Sequence, residues 1–388
     1  MAGPMKDNTV VTHAGNRPFE NYGIVNPPVY HASTVLSETL EQRINRSEAR
    51  VRYGRAGTPT TFALEDAMSA LEQAHGTVLA SSGLSAITMA LSAFVEAGDH
   101  ILVTDSTYTP TRNFCDRTLA RLGVKTEYFD PLIGAGITDL ICDNTRLIWT
   151  ECPGSQTFDV QDLPAIVEAA HARDVIVLTD NTWSGGYFRK PLTEGVDISV
   201  QAATKYIVGH SDVMMGTIAC NEATYEKVRQ SSALFGMCCG PDDVYLALRG
   251  LRTIGIRMAQ HHESGIKVAE WLQSRPEVSQ VMHPALPQDP GHKLWKRDFT
   301  GASGLFGFVL KEDDRSKLSA MMDHLKLHGM GSSWGGYESL LIPSWPEQSR
   351  TVTNWNVSGQ CMRIHVGLED PDDLIADLDA GFDRMNKA

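Results

Sequence analysis

Short, unbroken apolar runs alternate with amphipathic stretches through the middle of the chain, and this pattern points to its architecture. GTVLASSG (76–83), HILVTD (100–105), TRLIWTEC (145–152), VIVLTD (175–180) and GTIACN (216–221) lack a period-two alternation, as strands do when a parallel sheet is covered on both faces. SAITMALSAFVEAG follows the first run and DLPAIVEAAHARD separates the third from the fourth; both carry helical spacing. The alternation predicts an α/β unit over residues 61–250, with three α/β/α layers and a mostly parallel sheet. After YLALRGLRT come a long helix with HHESGIKVAEWLQ, the runs SGLFGFVL and MRIHVGL, and a closing helix DDLIADLDAGFDRM. Residues 251–388 are therefore expected to form a smaller α+β unit. Residues 1–60 hold Pro18, Pro27, Pro28 and Pro59 without a sustained helical period, which predicts an extended arm packed elsewhere on the molecule or on a neighbouring subunit.

Composition narrows the functional classes. A chain of 388 residues exceeds the usual single core, in keeping with two domains. A net charge of −13 without a Lys/Arg cluster argues against nucleic acid or an anionic membrane as partner. The opening MAGPMKDNTVVTHAG lacks the apolar core of a signal peptide and no later stretch is apolar enough to span a bilayer, so a cytoplasmic location is expected. The seven cysteines are scattered without the paired spacings of a zinc site or disulfide framework; reduced thiols and no metal are expected.

In open α/β sheets ligands sit beyond the carboxyl ends of the strands, so what ends the runs is informative. VIVLTD ends in Asp180, which reads either as a cap or surface carboxylate or as a ligand-facing acid. Farther on, AATKYIVGHSDVMMG places Lys205 in a small, neutral stretch. Together they match the needs of pyridoxal phosphate (PLP): a lysine that forms an imine with the aldehyde, and an acid that keeps the pyridine nitrogen protonated. SSGLSA (81–86) offers a phosphate cradle, since a glycine turn at a helix start aims backbone N–H groups at an anion. His210 reads as a structural histidine ahead of a catalytic base. LIGAGITDL is no dinucleotide fingerprint, because Pro131 precedes it and no third glycine follows.

YGRAGTPT, SSGLSAI, DSTYTPT, ECPGS, TDNTW, ATKYIVGHSD, SSWGGYES and RIHVGLEDPDDLIADLDAGF, in this order along nearly the whole chain, resemble the Cys/Met-metabolism (trans-sulfuration) family of fold-type I PLP enzymes. The resemblance implies a PLP-dependent transferase-like fold and a homo-oligomer, a tetramer built from dimers that share active sites. It implies Lys205 as Schiff-base lysine and proton carrier, Asp180 on the pyridinium nitrogen, and Tyr108 stacked on the ring with a catalytic part. Gly83, Leu84 and Thr204 would bind the phosphate, with Tyr53 and Arg55 reaching it from a neighbouring subunit. Arg363 would grip the substrate carboxylate, and Ser333, Trp334 and Tyr53 would line the substrate site. Ser155, where γ-acting relatives carry Asn, and a loop from Gly331 to Gly336 without Glu resemble the β-lyases. The activity implied is cleavage of L-cystathionine to L-homocysteine, pyruvate and ammonia, a step toward methionine. A cysteine-S-conjugate β-lyase, a γ-acting member and a non-catalytic binding module are the alternatives. Departures from the family pattern fall at Ala202, where many members carry a phosphate-binding Ser, at Arg55-Ala56 in place of an Arg pair, and at Asn113 and Ala233. The last two bear on selectivity for cystathionine over smaller conjugates.

Overall fold

The structure, a computed structural model, describes residues 5–45 and 49–388. A seven-stranded sheet is built from β1 (Gly76–Ala80), β2 (His100–Thr104), β3 (Lys125–Phe129), β4 (Thr145–Glu151), β5 (Ile176–Asp180), β6 (Ile198–Gln201) and β7 (Gly216–Cys220). The order is β1-β7-β6-β5-β4-β2-β3. All pairs are parallel except those of β7, which runs antiparallel to both β1 and β6. The expected strands all form. The expectation for GTIACN is corrected in direction: burial on both faces is satisfied equally by either orientation. Two strands not anticipated are β3, a half-exposed edge, and the four-residue β6.

Successive residues of one strand feed opposite cores: Ile101 and Val103 pack with Val78, Ile87, Trp149 and Val200, whereas Leu102 packs with Ile148, Val177 and Trp183. Each such fully buried aliphatic contributes about 1.5–3 kcal/mol of transfer free energy. A four-stranded antiparallel sheet follows, β8 (Val278–Met282), β9 (Leu305–Leu310), β10 (Leu340–Ser344) and β11 (Cys361–His365), in the order β10-β11-β9-β8. The helices Ile254–Gln273 and Pro371–Lys387 cover it.

The first sixty residues are less irregular than their sequence implies. Asp7–His13 and Leu40–Ile44 are helical and a further helix starts at Pro59. The first of these packs on its own chain, with Val11 buried and Arg252 donating to the carbonyls of Val11 (2.6 Å) and Ala14 (2.8 Å). Beyond it the arm leaves Phe19, Tyr22, Leu36 and Leu40 almost wholly exposed. Among the described residues no helix is long and apolar enough to cross a membrane, no disulfide forms, and no metal-binding group of His, Cys, Asp and Glu is present.

Asp105, in the turn after β2, ties the small sheet's surroundings to the large one. Its buried carboxylate accepts from the backbone N–H groups of Thr351 (2.9 Å), Val352 (3.1 Å) and Thr353 (2.8 Å) and from Arg112 (2.7 Å). Burial alone would raise its pKa, but these donors outweigh it and hold the carboxyl down at about 2. A depressed carboxyl stabilises the fold fully above its ordinary value, near 3.9, and loses that contribution as pH falls through 2. Asp105→Ala leaves buried Arg112 without its counter-charge and is expected to cost about 3–5 kcal/mol, measured by urea unfolding at neutral pH. Asp105→Asn should narrow its stability gap to the parent as pH drops from 4 toward 2.

Candidate active site

Because β1 and β6 both oppose β7, they share a direction, and β2, β4 and β5 run with β6. The carboxyl ends of five strands therefore lie on one edge. They deliver Gly83 after β1, Tyr108 after β2, Glu151 at the end of β4, Asp180 at the end of β5 and Lys205 just past β6. The register sets Glu151 directly opposite Asp180.

Lys205 sits in a turn whose backbone is fixed by Lys205 N to Ala202 O (3.0 Å) and Gly209 N to Lys205 O (2.7 Å). Its Nζ donates to Ser333 Oγ at 2.7 Å and lies 5.2 Å from the centre of the Trp334 ring. Burial, aided by the Arg363 guanidinium and opposed by Asp180, lowers the amine to about 8. Asp180 Oδ1 accepts from Thr182 N at 2.9 Å. Burial raises both carboxyls, and Glu151 is raised well above its ordinary value, first by burial and then by the Asp180 charge. Two half-buried carboxylates on paired residues repel each other and do not both ionise freely. Tyr108 is pinned by its backbone N–H to Glu151 Oε2 (2.6 Å). Its hydroxyl is raised by burial and by Glu151 and Asp180, against Arg363.

The helix Gly83–Ser92 begins with a capping box, in which Ser82 Oγ accepts from Ser85 N (3.0 Å) and Ser85 Oγ from Ser82 N (2.8 Å). Both serine hydroxyls are thereby engaged, and the next N–H groups, Gly83 and Leu84, have no acceptor within the helix. A Cβ at Gly83 would lie 2.4 Å from Ala202 Cβ, so only glycine lets this helix start approach the end of β6 so closely. Thr204 lies between β6 and β7, its hydroxyl bonded to Met215 O (3.2 Å) and accepting from Met215 N (2.9 Å). For Thr204 to donate to a phosphate, the hydroxyl proton must turn away from Met215.

The small sheet supplies the opposite wall. Arg363, on β11, donates to Ser332 O (2.6 Å) and Ser333 O (3.3 Å), and burial lowers its pKa. Trp334 packs against two hydrophobic clusters, that of Leu102 and Trp183 and that of Leu251 and Met258, and against Tyr206, with ring centres 5.5 Å apart. Tyr53 and Arg55 make their contacts elsewhere. The Tyr53 hydroxyl accepts from Ser33 Oγ (3.3 Å), and Arg55 donates to Ala233 O (3.0 Å) near the end of the helix Glu222–Leu234. His210 is exposed and bonded to Val208 O at 2.7 Å, in keeping with a structural role.

Two buried residues at this site were not singled out from sequence. Glu151 ends an apolar run as Asp180 does, and that shared position was the available signal. His365 stands two residues after Arg363 on β11 and bonds the backbone of Gly335 (3.1 Å); its signal was the alternation Arg-x-His on one strand face.

The donor set fits PLP: an amine with a depressed pKa, a helix start narrow enough to require glycine, a buried carboxyl and a flanking aromatic, all on one edge. When bound, PLP would take Lys205 at its aldehyde, Asp180 at its ring nitrogen and Gly83 and Leu84 at its phosphate. A family model described as Cys/Met metabolism PLP-dependent enzyme matches residues 8–383. A putative cystathionine beta-lyase of Rhizobium johnstonii is 49% identical over 379 residues, covering 97% of this chain and 95% of that protein. Cystathionine beta-lyase MetC of Escherichia coli is 46% identical over 390 residues, covering 98% and 99%. The crystal structure of metB from Corynebacterium glutamicum superposes with a TM-score of 0.90 at 30% identity, covering 98% of each chain. Geometry, sequence and fold agree, and the chain belongs to the Cys/Met metabolism PLP-dependent enzymes.

Proposed function

We propose that this enzyme is a carbon–sulfur β-lyase that cleaves L-cystathionine to L-homocysteine, pyruvate and ammonia, a step toward methionine. The observation that carries the reading is the Lys205 amine, lowered to about 8 and held by Ser333 in a loop without a carboxylate from Gly331 to Gly336. The nearly full-length likeness to cystathionine β-lyases supports the choice of substrate. PLP supplies the aldehyde that captures the amino acid and the protonated ring that accepts the electrons left at its α-carbon. Asp180 would hold the proton on that ring nitrogen, and Tyr108 would flank the ring. Arg363 fixes the substrate carboxylate through its guanidinium fork. Lys205 Nζ, lowered in pKa by burial and oriented by Ser333, would take the α-proton of the substrate, the proton transfer that precedes loss of homocysteine from the β-carbon. Trp334 flanks the amine, its ring centre 5.2 Å from Nζ.

The division into an arm (1–60), a PLP-binding unit (61–250) and a small unit (251–388) belongs to the same proposal. Tyr53 and Arg55 act on the site of a neighbouring subunit, in a homotetramer built from dimers. The almost fully exposed Phe19, Tyr22, Leu36 and Leu40 support it, since apolar surface on this scale seeks a cover. Seven unpaired thiols, four of them buried, support a reducing, cytoplasmic setting.

Incubation of the PLP-loaded protein with L-cystathionine should yield pyruvate, identified by mass spectrometry, and Lys205→Ala should yield none. Release of 2-oxobutanoate instead would place the reaction at the γ-carbon and overturn the reading. Mixing Lys205→Ala with Arg55→Ala under conditions of subunit exchange should restore part of the activity that each lacks; proven exchange without rescue would exclude a shared site. In PLP-free protein, acylation of Lys205 followed by peptide mass spectrometry should have its midpoint near pH 8. Arg363→Met removes a neighbouring like charge and should raise that midpoint, while Asp180→Asn removes the opposing charge and should lower it.

A further inference from the structure

His365 has no part in the chemistry set out above, yet it is 1% exposed and stands directly behind the loop that meets Lys205. Side chains on a strand alternate, so Arg363 and His365 of β11 share one face. Met362 and Ile364 pack on the other side, with Leu374 and Phe382. Both residues of the shared face hold the same loop. Arg363 donates to the carbonyls of Ser332 and Ser333. His365 Nε2 lies 3.1 Å from Gly335 N and 3.2 Å from Gly336 O. Between these anchors are Ser333, whose Oγ receives the Lys205 Nζ hydrogen bond at 2.7 Å, and Trp334, whose ring flanks that amine.

The loop has little freedom to find another route. Gly335 has φ +80°, and a Cβ there would lie 2.9 Å from the backbone carbon and Cβ of Lys205. The glycine backbone thus rests on the lysine from one side while His365 fixes it from the other. The imidazole is itself wedged between Tyr206, the neighbour of Lys205 in sequence (ring centres 5.9 Å), and His261 (5.2 Å). His261 is in turn bonded through Nδ1 to Val366 O at 2.9 Å.

We propose that His365 is a positioning residue, which by clamping Gly335 and Gly336 keeps Ser333 and Trp334 closed over the Lys205 amine. The inference rests on the assignment of Lys205 as the reactive lysine. The clamp is uncharged: burial, with His261, Arg363 and Lys205 nearby, holds His365 well below its ordinary pKa, and burial lowers His261 to about 4. A neutral ring has one N–H, so Nε2 serves Gly335 as acceptor or Gly336 as donor, one at a time. A glutamine amide extends to the Nε2 position with an acceptor and a donor side by side. Asparagine reaches only as far as Nδ1, which has no partner here among the described residues.

The test compares His365→Gln with His365→Asn in PLP-free protein, reading the pH midpoint of Lys205 acylation by peptide mass spectrometry, so that it does not depend on which substrate the enzyme takes. The groups facing the amine are Asp180, Arg363, Ser333 and Trp334, and neither His365 variant alters any of them. Opening of the loop admits water and relieves the burial that depresses the amine, so the Asn midpoint should rise by about one unit, whereas Gln should stay near the parent. Ser333→Ala combined with His365→Asn should add little to either single change, since both act through the same loop. Melting curves report the general loss of stability that both polar replacements bring. A midpoint that moves equally in Gln and Asn, or in neither, would overturn the clamp. A parent midpoint near 10.5, the ordinary value for lysine, would instead count against the closed amine on which the assignment of Lys205 rests.

Discussion

Glu151 and Asp180, placed side by side by the parallel register of β4 and β5, are the constraint around which this site is arranged. Neither strand can slip by one residue to separate them without sending the side chains fitted to one core into the other, because such a shift exchanges the two faces. Their carboxyls are therefore held in mutual repulsion within a buried edge, and what surrounds them can be read as the response. Backbone N–H groups of Tyr108 and Thr182 point at them, and the Lys205 amine approaches Asp180 from the next strand. Arg363 reaches the same neighbourhood but also disfavours the charged form of Lys205. The outcome is an amine poised to lose its proton beside a carboxyl poised to share one. That is the condition PLP chemistry imposes on a lysine and on the acid facing a ring nitrogen.

The small sheet completes this arrangement because only a second layer can reach over the edge of the first. Gly335 lets its loop touch the Lys205 backbone, as Gly83 lets the cradle helix touch Ala202, so both walls close on the lysine where a Cβ would have kept them apart. Trp334 packs on the cluster that holds Leu102 and Ile148 of the large sheet together with Leu305 and Val309 of the small one, which makes the loop part of the packing that joins the two sheets. Asp105, by capping residues 351–353, fixes the same junction close to Tyr108. Movement of the small unit would thus disturb the aromatic and the amine together.

What was legible in the sequence follows from what each residue depends on. Runs such as HILVTD and VIVLTD declare themselves because both faces are buried, whereas KTEYF forms a half-exposed edge with Lys125 and Glu127 at its surface and ISVQ is too short to show a period. The reversed direction of β7 left no trace, since packing on two faces does not encode polarity. Asp180 and Lys205 could be found because their residue types are unusual at the ends of such runs. Glu151, followed by Cys152 and Pro153, lay inside a quoted motif without a role, and its significance arises only when register sets it against Asp180. His365 was hidden for a related reason: its partners are the backbone atoms of a loop remote in sequence, and glycine backbone carries no side-chain signature. Tyr53 and Arg55 hold Ser33 and Ala233 within their own chain, and nothing in their spacing marks a reach toward another.

The phosphate side of the site leads to one more consequence. Side-chain hydroxyls that could have bound the anion are already engaged within the chain: Ser82 and Ser85 with each other, and Thr204 with Met215. Position 202, against which the helix start rests, offers only a methyl group. Within one subunit, then, the anion depends on the N–H groups of Gly83 and Leu84 and the positive end of their helix, which gives direction but only about half a unit of charge. A phosphate carries more than that, and in the proposed assembly the remaining balance would fall to the cation and hydroxyl of the neighbouring arm, Arg55 and Tyr53. Cofactor binding and subunit association then stabilise each other, because a ligand held by residues of two chains favours the assembled state in proportion to its affinity there.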